Sequence, residues 1–90
     1  MPEQAEESLL KFPTDFPIKV MGKTQPDFAQ TILALVQKHA PDFPAEAVEM
    51  RGSREGRYVS LTFTINATSR DQLDRLYREL TEHPMVAMVL

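Results

Sequence analysis

The residues that could carry chemistry are few and widely spaced in this chain. It has two histidines, His39 and His83, and no cysteine. Each histidine stands at the end of a segment with helical periodicity, where an imidazole commonly stabilises the helix C-terminus. No histidine or carboxylate pair has HxxxH or HExxH spacing, and thiolate ligands are absent. The sequence therefore predicts no catalytic residue, no metal site and no cofactor, and we expect a protein that is not an enzyme.

A short loop, Gly22-Lys23-Thr24-Gln25, is the best candidate for binding a small molecule. It follows the first predicted strand, and a glycine there can adopt a turn without steric cost. The loop lacks the GxxxxGK[ST] and GxGxxG patterns of phosphate-binding loops. Lys23 is its single cation and could pair with a carboxylate. We keep Gly22, Lys23, Thr24 and Gln25 as a candidate site for an amino acid or another organic acid.

These residues are positioned by elements whose apolar patterns differ in period. The stretch Arg57–Ala67 alternates strictly between apolar and polar residues, which is typical of a long β-strand with one buried face. Its polar parity continues as Ser60, Thr62 and Thr64, which suits a solvated sheet face. Only Tyr58 on that parity could stack on a nucleic-acid base. We therefore expect the strand to be a scaffold at the centre of the sheet.

The rest of the chain divides into alternating strands and helices. We expect a first strand at Phe16–Met21 that Gly22 ends, and then a helix from Pro26 to about His39 with Thr24 as its N-cap. A second strand at Glu46–Arg51 should lead into a hairpin linker at Gly52–Gly56. After the central strand we expect a second helix that ends before Pro84 and a last strand at Met85–Leu90. For the second helix, Ser69 with Gln72 and Thr68 with Asp71 are alternative N-terminal capping registers.

The predicted order is β-α-β-β-α-β, which determines the topology of the fold. Each βα unit crosses over with right-handed chirality, and the two middle strands form a hairpin. Both conditions are met by an α+β ferredoxin-like sandwich, with a four-stranded antiparallel sheet in the order 4-1-3-2 and two helices on one face. We expect residues 1–8 to form a disordered acidic leader and residues 9–90 to form one domain.

The last predicted strand is unusual because it is apolar on both faces. An uncharged apolar strand at a sheet edge promotes association unless something covers it. Alternate residues of a strand lie on the same face. We therefore expect Met85, Ala87 and Val89, with Met21 from the first strand, to form an outward-facing interface. Two coverings remain open: the N-terminal arm, through Leu9, Leu10 and Phe12, or the second subunit of a symmetric homodimer.

Composition excludes several classes of function. The chain has 90 residues, of which 42% are hydrophobic and 26% are charged, and its net charge is −3. A negative charge disfavours a nucleic-acid binder that neutralises many phosphates. No apolar run approaches the ~20 residues of a transmembrane helix, and the N-terminus lacks the features of a secretory signal. The absence of cysteine is compatible with a cytoplasmic protein.

Several stretches together resemble the YbeD-like (UPF0250) family of small uncharacterised bacterial proteins. They are FPTDFPIKVMG (Phe12–Gly22), QKHAP (Gln37–Pro41), INAT (Ile65–Thr68) with LYREL (Leu76–Leu80), the terminal MVL (Met88–Leu90), and the spacing of Ser53, Gly56, Tyr58 and Ser60. The resemblance covers the chain from Leu9 onward. It implies a ferredoxin-like fold similar to ACT regulatory domains, with a contextual link to lipoate metabolism. ACT domains bind small ligands near a glycine of the first β-α loop, and Gly22 matches that position.

Two hypotheses of function follow. The first is a non-enzymatic, ACT-like regulatory or protein-interaction module that associates through the last strand. The alternative is a small-molecule sensor that binds an amino or organic acid at Gly22–Gln25.

Overall fold

The computed structural model describes residues 11–90. The predicted acidic leader, residues 1–8, lies outside the described residues, as do Leu9 and Leu10. The predicted domain boundary at Leu9 therefore stays a prediction.

Four strands and two helices follow one another in the predicted order. They are β1 (Thr14–Lys23), α1 (Phe28–His39), β2 (Glu49–Gly52), β3 (Tyr58–Ala67), α2 (Arg70–Glu82) and β4 (Met88–Val89). The strands form one antiparallel sheet in the order β2-β3-β1-β4. Read from the other edge this is 4-1-3-2, so the predicted α+β ferredoxin-like sandwich is confirmed.

The core lies in one layer between the helices and the sheet. Every second residue of β3, from Val59 to Ala67, is buried. On the neighbouring strand β1, Ile18 is buried opposite Phe63 and Val20 is buried opposite Leu61. The helices complete the layer with these buried residues: Phe28, Ile32, Val36, Leu73, Leu76 and Leu80. Among the described residues no polar or charged residue is buried. Burial of large apolar side chains, at about 1.5–3 kcal/mol each, is therefore what holds the layers together.

The β1 strand is longer than predicted, and Gly22 does not end it. The strand runs through Lys23, which pairs with Tyr58. The backbone N–H of Thr24 still donates to the Arg57 carbonyl at 2.8 Å. Among the described residues, a positive φ occurs only at Gly56. Gly22 is therefore an extended strand residue, and its role is not to form a turn.

Helix α1 begins two residues later than predicted. Its N-cap position is Asp27, which makes no side-chain capping bond, so the prediction of Thr24 as N-cap was wrong. The reason is that the backbone N–H of Thr24 continues the ladder to β3. Pro26 and Asp27 form a turn before the helix.

The β2 strand is shorter than predicted, because Ala45–Ala47 form a 3-10 turn that begins after Pro44. The chain then reaches β3 through the predicted hairpin. The N–H of Ser53 donates to the Tyr58 carbonyl at 2.8 Å, and the hydroxyl of Ser53 accepts from the Tyr58 N–H at 3.1 Å. Gly56, with φ at 76°, takes the left-handed position that favours glycine in such a turn.

Helix α2 uses the first of the two predicted capping registers. The Ser69 hydroxyl accepts from the N–H of Gln72 at 3.0 Å, and the Gln72 side-chain oxygen accepts from the N–H of Thr68 at 2.7 Å. The Gln72 amide also donates to the His39 carbonyl at 2.7 Å. One side chain thus joins the start of α2 to the end of α1.

The β4 strand is much shorter than the predicted Met85–Leu90. After α2, the Val86 N–H donates to the His83 carbonyl at 3.0 Å, and the Met85 N–H donates to Nδ1 of His83 at 3.1 Å. This turn occupies the first residues of the predicted strand. The chain then pairs with β1, where Leu90 and Lys19 exchange backbone hydrogen bonds of 2.8 and 3.1 Å.

Candidate functional site

The two helices cover one face of the sheet and leave the opposite face uncovered. The uncovered face carries the polar parity of β3, as the alternation of the sequence predicts. The other strands add side chains to the same face according to their register. We call this surface the open face. Its residues are Asp15, Pro17, Lys19, Met21 and Lys23 of β1, Glu49 and Arg51 of β2, Tyr58, Ser60, Thr62, Thr64 and Asn66 of β3, and Met88 and Leu90 at β4.

The β4 side of the open face is apolar. Met88 pairs with Met21, and Leu90 lies beside Lys19. The residues Met88 and Leu90 are 51% and 61% exposed. We call Met21, Met88 and Leu90 the β4 patch. Met88, Leu90 and Tyr58 are three of the four exposed large apolar residues in the described part of the chain, and the fourth is Met50.

The β4 patch differs in composition from the interface expected from parity. Val89 lies beside the buried Val20 and packs against the core, and Met85 also packs against the core. Ala87 is exposed, and its N–H donates to the Met21 carbonyl at 2.7 Å. The register with β1 therefore turns Val89 toward the helices and Met88 and Leu90 outward. The sequence reasoning missed Met88 and Leu90 because the register with β1 decides which alternate residues of β4 face outward, and the sequence of the strand alone does not set that register.

Association through the last strand stays a prediction. Of the expected N-terminal arm, Phe12 is half-buried and packs against the core. Leu9 and Leu10 lie outside the described residues. Beside the patch, the Tyr77 hydroxyl donates to the Leu90 carbonyl at 3.5 Å, and partial burial raises the pKa of this phenol.

The four candidate ligand residues of the first β-α loop have different surroundings. Gly22 is buried, so its own atoms face the core and not a ligand. A Cβ atom at this position would lie 2.5 Å from Cε1 of Phe28 and would also collide with the Met85 carbonyl. Gln25 is exposed and its carbonyl accepts from the Phe28 N–H at 3.2 Å. Lys23 and Thr24 line a concave surface.

That surface is a shallow cleft of about 510 Å³ between the first β-α loop and the β2–β3 hairpin. Its lining residues are Lys23, Thr24, Gly56, Arg57 and Tyr58. The cleft therefore has two cations and one aromatic ring. Arg57 contacts Glu55 at 3.5 Å, but both side chains are well exposed, so their attraction is weak. Sequence reasoning found the loop half of the cleft and missed the hairpin half, which the β1–β3 register brings beside it.

The two histidines have structural partners. Nε2 of His39 lies 2.9 Å from Oε2 of Glu79, and the Lys38 ammonium is 3.1 Å from the same carboxylate. His83 accepts the Met85 N–H within the turn before β4. Within residues 11–90, no three His, Cys, Asp or Glu side chains form a group that could hold a metal ion. In the same part of the chain, no helix is long and apolar enough to cross a membrane.

The fold and the open face define a class: a small ferredoxin-like α+β domain with an uncovered sheet face. The same fold occurs in the solution structure of protein HP0495 from H. pylori, with a TM-score of 0.71. That match covers 100% of this chain and 94% of the other at 12% sequence identity, so it supports the fold alone.

Sequence comparison then places the chain within a family. The family described as "Protein of unknown function (DUF493)" matches residues 7–90. A UPF0250 protein of Nitrosomonas europaea is 58% identical over 85 residues, which cover 94% of this chain and 98% of that protein. A UPF0250 protein of Bordetella pertussis is 59% identical, covering 94% and 93%. The chain belongs to this bacterial family, as the sequence resemblance indicated.

Proposed function

We propose that the protein is a non-enzymatic interaction module that binds a partner protein through the β4 patch on the open face of its sheet. The observation that carries the proposal is the distribution of exposed apolar side chains. Three of the four large ones in the described part of the chain lie on the open face, and two of these lie at β4. Contiguous apolar surface beside charged residues is typical of protein-binding sites.

The chemistry of the patch suggests how a partner would be recognised. Methionine side chains are flexible and polarisable, which suits contacts with apolar side chains of varied shape. Lys19 lies next to Leu90 and Met21 on the same face, so an acidic residue beside the partner's apolar anchors would be favoured. The resemblance to ACT domains that the family implies supports a regulatory role, and the absence of cysteine is compatible with a cytoplasmic location. The family context makes lipoate metabolism the first process in which to look for the partner.

An affinity experiment with matched variants tests the proposal. The full chain is tagged, immobilised and exposed to an extract of the source bacterium, in parallel with the variants Met88→Lys and Ala34→Lys. Ala34 is exposed on helix α1, so its variant adds the same charge on the opposite side of the molecule. We expect Met88→Lys to lose most of a specifically captured protein, and Ala34→Lys to retain it. Equal capture by all three proteins contradicts the proposal.

The cleft between the first β-α loop and the hairpin supports a second candidate function, a sensor of an organic acid. Lys23 and Arg57 supply positive charge and Tyr58 supplies an aromatic wall. A ligand that binds the native state raises its melting temperature. We expect amino acids or lipoate-type acids at millimolar concentration to raise the melting temperature of the wild type, and not that of Lys23→Glu. Lys11→Glu is the control, and the absence of any shift in the wild type contradicts this function.

A further inference from the structure

The outer edge of β2 presents unpaired backbone groups whose positions follow from the hairpin geometry. The N–H of Ser53 donates to the Tyr58 carbonyl, and in the same ladder Arg51 pairs with Ser60. Successive residues of a strand direct their N–H and C=O groups to opposite sides. Arg51 and Glu49 therefore direct theirs toward β3, and Met50 and Gly52 direct theirs outward.

The side chains along this edge alternate in charge. Glu49 and Arg51 both lie on the open face, with Met50 between them on the other face. Among residues 11–90, neither Glu49 nor Arg51 forms an ion pair within 4 Å. Met50 is 64% exposed although it lies on the side of the sheet that the helices cover. No atom lies within 4 Å of the position that a Cβ on Gly52 would take.

We propose that β2 pairs with β2 of a second copy of this chain, antiparallel, with Met50 on the two-fold axis. Met50 and Met50 of the partner subunit would then exchange two backbone hydrogen bonds. Glu49 would lie directly opposite Arg51 of the partner subunit, and the symmetry repeats this ion pair on the other side of the axis. The two Met50 side chains would pack together on the helix side, and Gly52 leaves room for Val48 of the partner subunit.

The charge pattern selects this register over its neighbours. In an antiparallel pair the outward-directed residues must face one another to form hydrogen bonds. Centring the pair on Arg51 brings the two Arg51 side chains together, and centring it on Glu49 does the same for the carboxylates. Like charges directly opposite each other destabilise a strand pair, whereas opposite charges stabilise it. Of the three registers, only the one centred on Met50 has opposite charges across the interface.

The other edge of the sheet does not offer the same ladder. At β4, Leu90 directs its N–H and C=O toward Lys19. In this two-residue strand, only Val89 directs its groups outward. The β2 edge can form about four interchain hydrogen bonds, from Met50 and from the N–H of Gly52 to Val48 of the partner subunit.

The pairing would join the two sheets into one of eight strands, ordered β4-β1-β3-β2-β2-β3-β1-β4. The two β4 patches would lie at opposite ends and stay accessible. The dimer therefore goes beyond the proposed function, because it would present two partner sites. The two proposals can also fail separately, since one depends on Met88 and the other on Glu49 and Arg51.

Charge reversal provides the test. Sedimentation velocity over a range of concentrations is applied to the full-length wild type, Glu49→Arg, Arg51→Glu and the double variant. We expect a wild-type dimer, and self-association weakened by about tenfold in each single variant, because each has two like-charged pairs across the axis. The double variant restores opposite charges and should dimerise like the wild type.

Mixing the two single variants gives the most specific outcome. In a heterodimer of Glu49→Arg with Arg51→Glu, both cross-axis pairs again have opposite charges. We expect the mixture to associate about as strongly as the wild type, and about tenfold more strongly than either variant alone. Asp74→Arg and Arg78→Glu on α2 make the same charge changes at exposed positions, and each should dimerise like the wild type alone.

Amide hydrogen exchange adds a measurement that needs no variant. Exchange at Met50 and Gly52 should slow as the wild-type concentration rises, whereas exchange at Ala87 should not. The proposal is overturned by a wild type that stays monomeric, by single variants that dimerise normally, by failure of the mixed variants to associate, or by exchange at Met50 and Gly52 that does not depend on concentration.

Discussion

At the scale of single residues, Gly22 determines how closely the sheet, α1 and the turn before β4 can approach one another. The resemblance to ACT domains predicts from the sequence that this glycine lies at a ligand-binding position. Its surroundings give it a packing role, since the Phe28 ring and the Met85 carbonyl occupy the space of a Cβ atom. Gly22 also pairs with Val59, so any displacement would be transmitted to the central strand.

We expect Gly22→Ala to destabilise the fold by about 1–3 kcal/mol, because the added methyl group overpacks a buried contact. Urea denaturation monitored by circular dichroism measures this free energy of unfolding. Gly52→Ala, measured at concentrations at which the chain is monomeric, is the matched control, since its Cβ would meet open space in the single chain. The control should change stability by no more than about 0.5 kcal/mol. Equal effects of the two substitutions would refute the packing role of Gly22.

Glu79 joins the two helices at the residue scale. Its carboxylate accepts from the Lys38 ammonium and lies within hydrogen-bonding distance of the His39 ring, at the end of α1. The hydrogen bond from Lys38, supported by the one from His39, lowers the pKa of Glu79 below its usual value of 4.5. The folded state therefore binds a proton at Glu79 less readily than the unfolded state does.

This lowered pKa predicts a pH dependence with a definite sign. The stability from ionised Glu79 is present above pH 4.5 and is lost as the pH falls through the lower pKa of the folded state. We expect Glu79→Gln to reduce the loss of stability on acidification below pH 4.5. Urea midpoints measured from neutral pH into the acid range would show this as a flatter profile. Glu82→Gln on the same helix should retain the wild-type profile, and a wild-type profile for Glu79→Gln would exclude the effect.

At the scale of elements, β4 shows how register decides which side chains are available to a partner. Its two residues lie beside β1, with Val89 next to Val20 and Met88 next to Met21. The first pair faces the helices and the second faces outward. The adjacent residues Val89 and Met88 should therefore respond very differently to the same substitution.

We expect Val89→Lys to lower the free energy of unfolding by about 1–3 kcal/mol, since it removes an apolar contact and places a charge against the core. Met88→Lys should change it by less than about 0.5 kcal/mol, because the side chain is exposed. Thermal or urea unfolding of the two variants checks this contrast. If Met88→Lys were the more damaging change, the register of β4 would be wrong.

At the scale of the whole molecule, one core connects every long element. The buried residues come from β1, β3 and both helices, and Phe43 from the loop after α1 packs edge-on against Phe63 at 5.5 Å between ring centroids. Residues 11–90 contain ten acidic and ten basic residues, so the net charge of −3 comes from Glu3, Glu6 and Glu7. The described part of the chain thus has no net charge that would oppose its folding.

A single core predicts a single unfolding transition. We expect far-UV circular dichroism and tyrosine fluorescence to report the same urea midpoint, because Tyr77 on α2 contacts the core that the sheet shares. The chain has no tryptophan, so Tyr58 and Tyr77 are the fluorescent residues. Separate midpoints for the two signals would contradict a single cooperative transition.

The sequence by itself determined the topology of this protein. Strict alternation over Val59–Ala67 and the helical spacing of Leu73, Leu76 and Leu80 identify elements through periods of two and 3.6 residues, which local geometry imposes on any chain. The order of these elements, with right-handed crossovers, leads to the observed sheet. The family resemblance was also visible in the sequence, since it depends on residues that stand in order along the chain.

Only the tertiary structure decided which surfaces a partner can contact. The face on which Val89 and Met88 lie depends on pairing with β1, and a slip of one residue would exchange their faces. The cleft beside Lys23 exists because the β2–β3 hairpin lies next to the first β-α loop. The opposite charges of Glu49 and Arg51 can contribute to pairing with another strand only because β2 lies at an edge of the sheet. Each of these surfaces depends on contacts between residues that are far apart in sequence. The local periodicity of the sequence carries no information about such contacts.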